Sequence, residues 1–220
     1  MQVMASNDPR FAQILRVTYP AGSASQLSMT TYGSPSGGAQ LYLLLRTGSV
    51  DMLYLRYYVR FPAGFSFVKG GKLPGLFGGT VTSGRRIPNG ADGFSTRYMW
   101  RRDGAAEVYA YLPTSVAHGT SLGRGSWVWR PGLWTCVEQE VRLNTPGTSN
   151  GTITVWVNGD PVYQATGLDF RTTSDLKLDG VFFSSFFGGG DPSWATPRDQ
   201  YVDFAGFAVS THPIGPLPVR

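Results

Sequence analysis

At 220 residues the chain is long enough for one sizeable core, and its 29 Gly and 15 Pro make one residue in five a helix breaker, which disfavours helical bundles, coiled coils and doubly wound α/β folds. A hydrophobic fraction of 41% excludes a disordered chain, and no apolar run approaches the ~20 residues of a membrane-spanning helix. The 19 Lys+Arg against 14 Asp+Glu leave a net charge of +5. Because these cations are spread along the chain, an acidic polysaccharide is the expected partner, rather than nucleic acid or a membrane.

Strand-like stretches follow one another at close intervals: Phe11–Tyr19, Gln26–Tyr32, Gln40–Arg46, Met52–Phe61, Phe94–Arg101, Glu107–Leu112, Trp134–Leu143, Thr152–Val157, Leu178–Phe187 and Tyr201–Ser210. No linker or fixed-period repeat divides them, so one domain over residues 1–220 is expected, all-β, as an antiparallel sandwich or barrel. In the fourth stretch Leu55, Tyr57, Val59 and Phe61 share one face and Arg56, Tyr58 and Arg60 the other, which predicts one solvated side. Asn150-Gly151 and Asn158-Gly159 bracket a hairpin strand, a pattern that resembles lectin-like jelly rolls with an open concave groove.

Between the fourth and fifth stretches, Val68-Lys69-Gly70-Gly71-Lys72-Leu73-Pro74-Gly75-Leu76 lacks the Gly-x-x-x-x-Gly-Lys-Ser/Thr spacing of a phosphate loop. It reads as a tight Gly/Pro loop, either with solvated lysines or aiming one amine into a groove. Next, Gly93 to Tyr111 reads as two strands around Asp103-Gly104. A two-residue loop puts Arg97 and the tyrosines on opposite faces; a three-residue loop, Arg102-Asp103-Gly104, pairs Arg97 with Tyr109 and Ser95 with Tyr111. The residues alone allow both registers. The flanking Arg85, Arg86, Arg101 and Arg102 are candidates to hold charged sugar units, and Gly188-Gly189-Gly190-Asp191 with Trp194 is a candidate loop for closing or stacking.

Other patterns are weaker. Cys136, the single cysteine, reads as a small buried hydrophobe. Glu138 and Glu140 share a strand face but lack the setting of a glycosidase pair. His118 and His212 have no metal-ligand spacing, so neither a metal nor a cofactor is expected, although His118 can reach a groove from beside the tyrosine strand. The first residues lack the basic and apolar regions of a signal peptide. The choice is between an intracellular chain and a secreted one whose leader has been removed; secretion is the expectation.

The run from Tyr58 to Gly79, with Lys-Gly-Gly-Lys-Leu-Pro-Gly-Leu at its centre, resembles the signature of polysaccharide lyase family 14. The similarity extends from Tyr19-Pro20-Ala21-Gly22-Ser23 to Phe186-Phe187-Gly188-Gly189 and Tyr201-Val202-Asp203-Phe204. The resemblance implies a jelly-roll enzyme that cleaves a 4-O-linked uronate polymer, glucuronan or alginate, by β-elimination. It implies catalytic roles for Lys72, Ser95, Arg97, Tyr109 and Tyr111, and it favours the three-residue turn; by their place around the expected groove, Lys69, Arg85, Arg86, Arg101 and Trp194 are the residues expected to hold substrate. On this reading Lys72 and Arg97 offset the carboxylate, Ser95 adds a hydrogen bond to it, and nearby cations favour phenolate at Tyr109 or Tyr111, one of which takes the C5 proton. A monomer is expected. The alternatives are a non-catalytic binding module for acidic polysaccharide and a lectin-fold glycosidase.

Overall fold

The computed structural model describes residues 1–218. Thirteen strands form two antiparallel sheets among these residues. In chain order they are β1 Gln2–Ala5, β2 Gln13–Tyr19, β3 Ala39–Leu44, β4 Met52–Arg60, β5 Gly70–Gly79, β6 Gly93–Arg101, β7 Ala106–Tyr111, β8 Thr120–Leu122, β9 Trp134–Arg142, β10 Gly151–Val157, β11 Asp160–Leu168, β12 Gly180–Phe187 and β13 Gln200–Ser210. One sheet runs β1-β2-β13-β4-β9-β10-β11 and the other β3-β12-β5-β6-β7-β8. This is the sandwich that alternating apolar strands and Gly/Pro turns require.

The core lies between the sheets. Leu55, Tyr57 and Val59 of β4 face Leu73 and Leu76 of β5, Tyr98 and Trp100 of β6, and Phe183 and Phe187 of β12 across it. Trp100 meets Phe61, Phe65 and Phe187 edge to face at centroid distances of 5.6, 5.8 and 5.2 Å, the arrangement aromatic quadrupoles prefer. One polar pair crosses this interior: Thr96 donates to Gln139 at 2.6 Å, and the Gln139 amide returns a bond to the Thr96 carbonyl at 3.1 Å. That closed exchange fixes how the two sheets sit on each other, because any slip leaves buried polar groups unpaired.

Two expectations change. Gln26–Tyr32 is a helix, α1, and not a strand. Ser25 caps its start by accepting from the Ser28 N–H, and Gly33, left-handed at φ 69°, ends it with bonds to the Met29 and Ser28 carbonyls. These end signals outweigh the strand-like alternation of Leu27 and Met29. The outer face of β4 is also not simply solvated: Tyr58 is 2% exposed and Arg56 7%. Phe11, Ile14 and Cys136 cover it, together with the segment after β13, whose Leu217 N–H donates to the Tyr58 hydroxyl at 2.6 Å. Cys136 is buried there and burial pushes its thiol up to about 11, so it packs as a small apolar group.

Candidate active site

The site lies on the outward face of the six-stranded sheet. Its first element corrects the loop reading, because Lys72 projects from β5, a ten-residue strand, and not from a glycine bend. The glycines serve packing here: a Cβ on Gly71 would overlap the Trp100 ring, and one on Gly75 the Thr96 carbonyl. Pro74 has no N–H for the ladder and sits where the β5–β6 register shifts, between Leu73 and Gly75. Its carbonyl accepts from the Tyr57 hydroxyl at 3.0 Å. The strand is therefore tied to the core through its most irregular residue.

Between β6 and β7 the chain takes the three-residue turn, Arg102–Gly104, with Gly104 at φ 79°. Arg97 opposes Tyr109 and Ser95 opposes Tyr111. Ser95, Arg97, Met99 and Arg101 consequently share one face with Glu107, Tyr109 and Tyr111, while Phe94, Tyr98, Trp100, Val108 and Ala110 enter the core.

A cavity of about 800 Å3 opens above this face, lined by Lys72, Arg85, Arg97, Arg101, Tyr109, Tyr111, His118 and Trp194 among others. Four basic side chains line it, and no Asp or Glu does among the described residues. Lys72 is 8% exposed and Arg97 2%. The Lys72 amine lies 3.6 Å from the centre of the Tyr109 ring and touches the Met99 sulfur. The Arg97 guanidinium stacks 4.6 Å above Phe182 and donates one bond to Ser184 at 3.1 Å, while its Nε has no partner. Burial, then Arg97 and Arg101, hold the Lys72 amine well below its ordinary value. Burial lowers Arg97 to about 10, so it remains a cation near neutrality. Buried cations without carboxylate partners are costly in isolation, and an anionic ligand relieves that cost.

Residues 7–207 match the sequence profile of the polysaccharide lyase 14 family. The chain belongs to that family. A marine PL-14 alginate lyase from Aplysia kurodai shares 36% identity, with a TM-score of 0.81 over 96% of this chain and 87% of that one. An alginate lyase from a Chlorella virus superposes with a TM-score of 0.80 at 22% identity over 96% and 89%, a likeness of fold. The protein exolysin of Paramecium bursaria Chlorella virus 1 is 28% identical over 171 residues, 63% of this chain. The matched segment spans only 26% of that viral protein.

In this lyase-family chain the other sequence candidates divide. Ser95 is fully buried and donates to the Thr82 carbonyl at 2.7 Å. It is not among the residues that line the cavity, and its hydroxyl ties β6 to the loop after β5. Arg85, Arg101 and Trp194 line the cavity; Arg86 is exposed and outside it. Lys69 also lies outside, bound to Ser193 at 2.5 Å and 5.9 Å from the Trp194 ring. Gly188, Gly189 and Gly190 form part of the wall. Tyr109 departs from the phenolate expectation: burial and Tyr111 push it up to about 12, more than Arg101 and Arg97 pull it down. Glu138 instead accepts the N–H groups of Ile214 and Gly215, and Glu140 pairs with Arg142. His118 does line the cavity, beside a Gly119 packed on both tyrosine rings. Glu107 was missed. Its place two residues before Tyr109, on the same face, was the available signal.

Proposed function

We propose that this chain is a polysaccharide lyase that cleaves a 4-O-linked uronate polymer, alginate or glucuronan, by β-elimination. One observation carries the reading: a buried amine, Lys72, and a buried guanidinium, Arg97, meet Tyr109 and Tyr111 at a cavity that, among the described residues, no carboxylate lines. A glycosidase needs two carboxyl groups at its cleft. A binding module needs cations and aromatic rings, but not a buried amine packed 3.6 Å from the centre of a tyrosine ring beside a buried guanidinium.

The groups divide the chemistry by their protonation. Arg97 and Arg101 face the uronate carboxylate and offset the charge that builds on it as the C5–H bond breaks. Lys72, biased toward the neutral amine, takes the C5 proton. The C5–H electrons become the C4–C5 double bond, the C4–O4 bond breaks, and O4 takes the proton of Tyr109. Phenol raised to about 12 is a donor at neutral pH, not a base. The site resets when the Lys72 ammonium gives up its proton and the Tyr109 phenolate regains one, so the net proton count is unchanged. No water is consumed.

The test is ultraviolet absorbance of unsaturated uronate ends on mannuronate-rich and guluronate-rich alginate, glucuronan, pectate and hyaluronan. Turnover is expected on alginate or glucuronan and lost in Lys72→Ala. Retained affinity with no absorbance on any polymer would favour a binding module.

A further inference from the structure

Glu107 is fully buried directly beneath the cavity without lining it. Met99 is paired with Lys72 on one side and with Glu107 on the other, so these three residues form one row across β5, β6 and β7. Glu107 Oε1 accepts from Arg101 Nε at 2.8 Å and from Ser121 at 3.1 Å, and Arg101 Nη2 lies 2.6 Å away. Oε2 has no hydrogen-bond partner; Arg124 Nε is 3.9 Å from it. A buried carboxylate with one bare oxygen is costly unless neighbouring cations use its charge.

We propose that Glu107 is a positioning residue for the elimination, clamping Arg101 at the cavity wall and supplying the fixed negative charge that balances Lys72, Arg97 and Arg101 from below. This rests on the lyase reading above and adds to it a residue that touches no substrate. Lys72 is faced by Arg97 and Arg101 from β6, by Glu107 and Tyr109 from β7 and by the uncharged Phe186 from β12, with His118 lining the same cavity. Two guanidinium groups drive its amine toward neutrality, and Glu107 opposes them. The carboxylate thereby raises the pH at which the base becomes available, and its one hydrogen bond and close ion-pair contact with Arg101 hold a planar guanidinium in place.

The experiment is the pH profile of kcat/KM for wild type and Glu107→Gln. Glutamine keeps an acceptor for Arg101 and Ser121 but removes the charge. Lys72 then loses its proton more readily, and the acidic limb moves to lower pH. Glu107→Asp, which keeps the charge, returns the limb toward wild type. If Glu107→Gln does not fold, Arg124→Gln reads the same coupling from the surface: removing that cation strengthens the Glu107 charge and moves the limb upward. An active wild type whose limb coincides with that of Glu107→Gln, or of Arg124→Gln where the first does not fold, overturns the Glu107 assignment alone. Absence of turnover by wild type on every uronate polymer overturns the lyase reading and this one with it.

Discussion

Replacing Lys72 by methionine separates the cost of this site from its use. The side chain is 92% shielded from solvent, and among the described residues no carboxylate lies within ion-pair distance of its amine. Methionine fills a similar unbranched space without charge. Replacing an unpaired buried amine by well-packed apolar atoms removes its desolvation cost, on the order of 1 kcal/mol or more, and in a chain of this size each kcal/mol moves Tm by roughly 2–4 °C. Lys72→Met should therefore melt several degrees higher than wild type while losing turnover. The gain depends on pH. Lys72 is lowered from 10.5 in the folded state, so the unfolded chain binds the extra proton and wild-type stability rises with pH between the lowered value and 10.5. The advantage of Lys72→Met is thus greatest below the lowered value and fades as pH approaches 10.5. Calorimetric melts of both proteins across that range are the assay. A methionine variant less stable than wild type, or a gain that does not change with pH, would refute the strained-amine argument.

Three further outcomes follow from the same geometry. Tyr109→Phe removes the proposed donor to O4 and should lower kcat by about 10²–10⁴ with little change in KM or melting temperature. Ser95→Ala leaves the buried Thr82 carbonyl without its 2.7 Å donor and should cost about 1–2 kcal/mol in urea unfolding, with turnover reduced far less than by Tyr109→Phe. Gly75→Ala drives a Cβ into the Thr96 carbonyl and should destabilise by about 3 kcal/mol or more, read as loss of soluble folded protein or a much lower urea midpoint.

Much of this architecture is written in local alternation. The face assignments of Leu55, Tyr57 and Val59 follow from period two alone, and so does the shared face of Tyr109 and Tyr111. β5 escapes such a reading because Gly71 and Gly75 look like turn residues until the Trp100 ring and Thr96 carbonyl that exclude their side chains are in place. The outer face of β4 is closed by Leu217, distant in sequence, so its burial has no local signal. The site's residue types were legible; their protonation was not. Tyr109 has cations beside it, as expected, but the burial that outweighs them exists only once β7 joins the sheet. Ser95 likewise reaches the right face, where the Thr82 carbonyl claims its proton.

In the proposed reaction a uronate carboxylate held by guanidinium groups makes its neighbouring C5 proton removable, so that the polymer breaks without water. Digesting alginate and glucuronan in heavy-oxygen water, with mass analysis of the products, tests this most directly. Elimination gives unsaturated ends and no label beyond the slow solvent exchange of the anomeric oxygen, measured on preformed fragments. One heavy oxygen per cleavage, on saturated products, would show hydrolysis and contradict it.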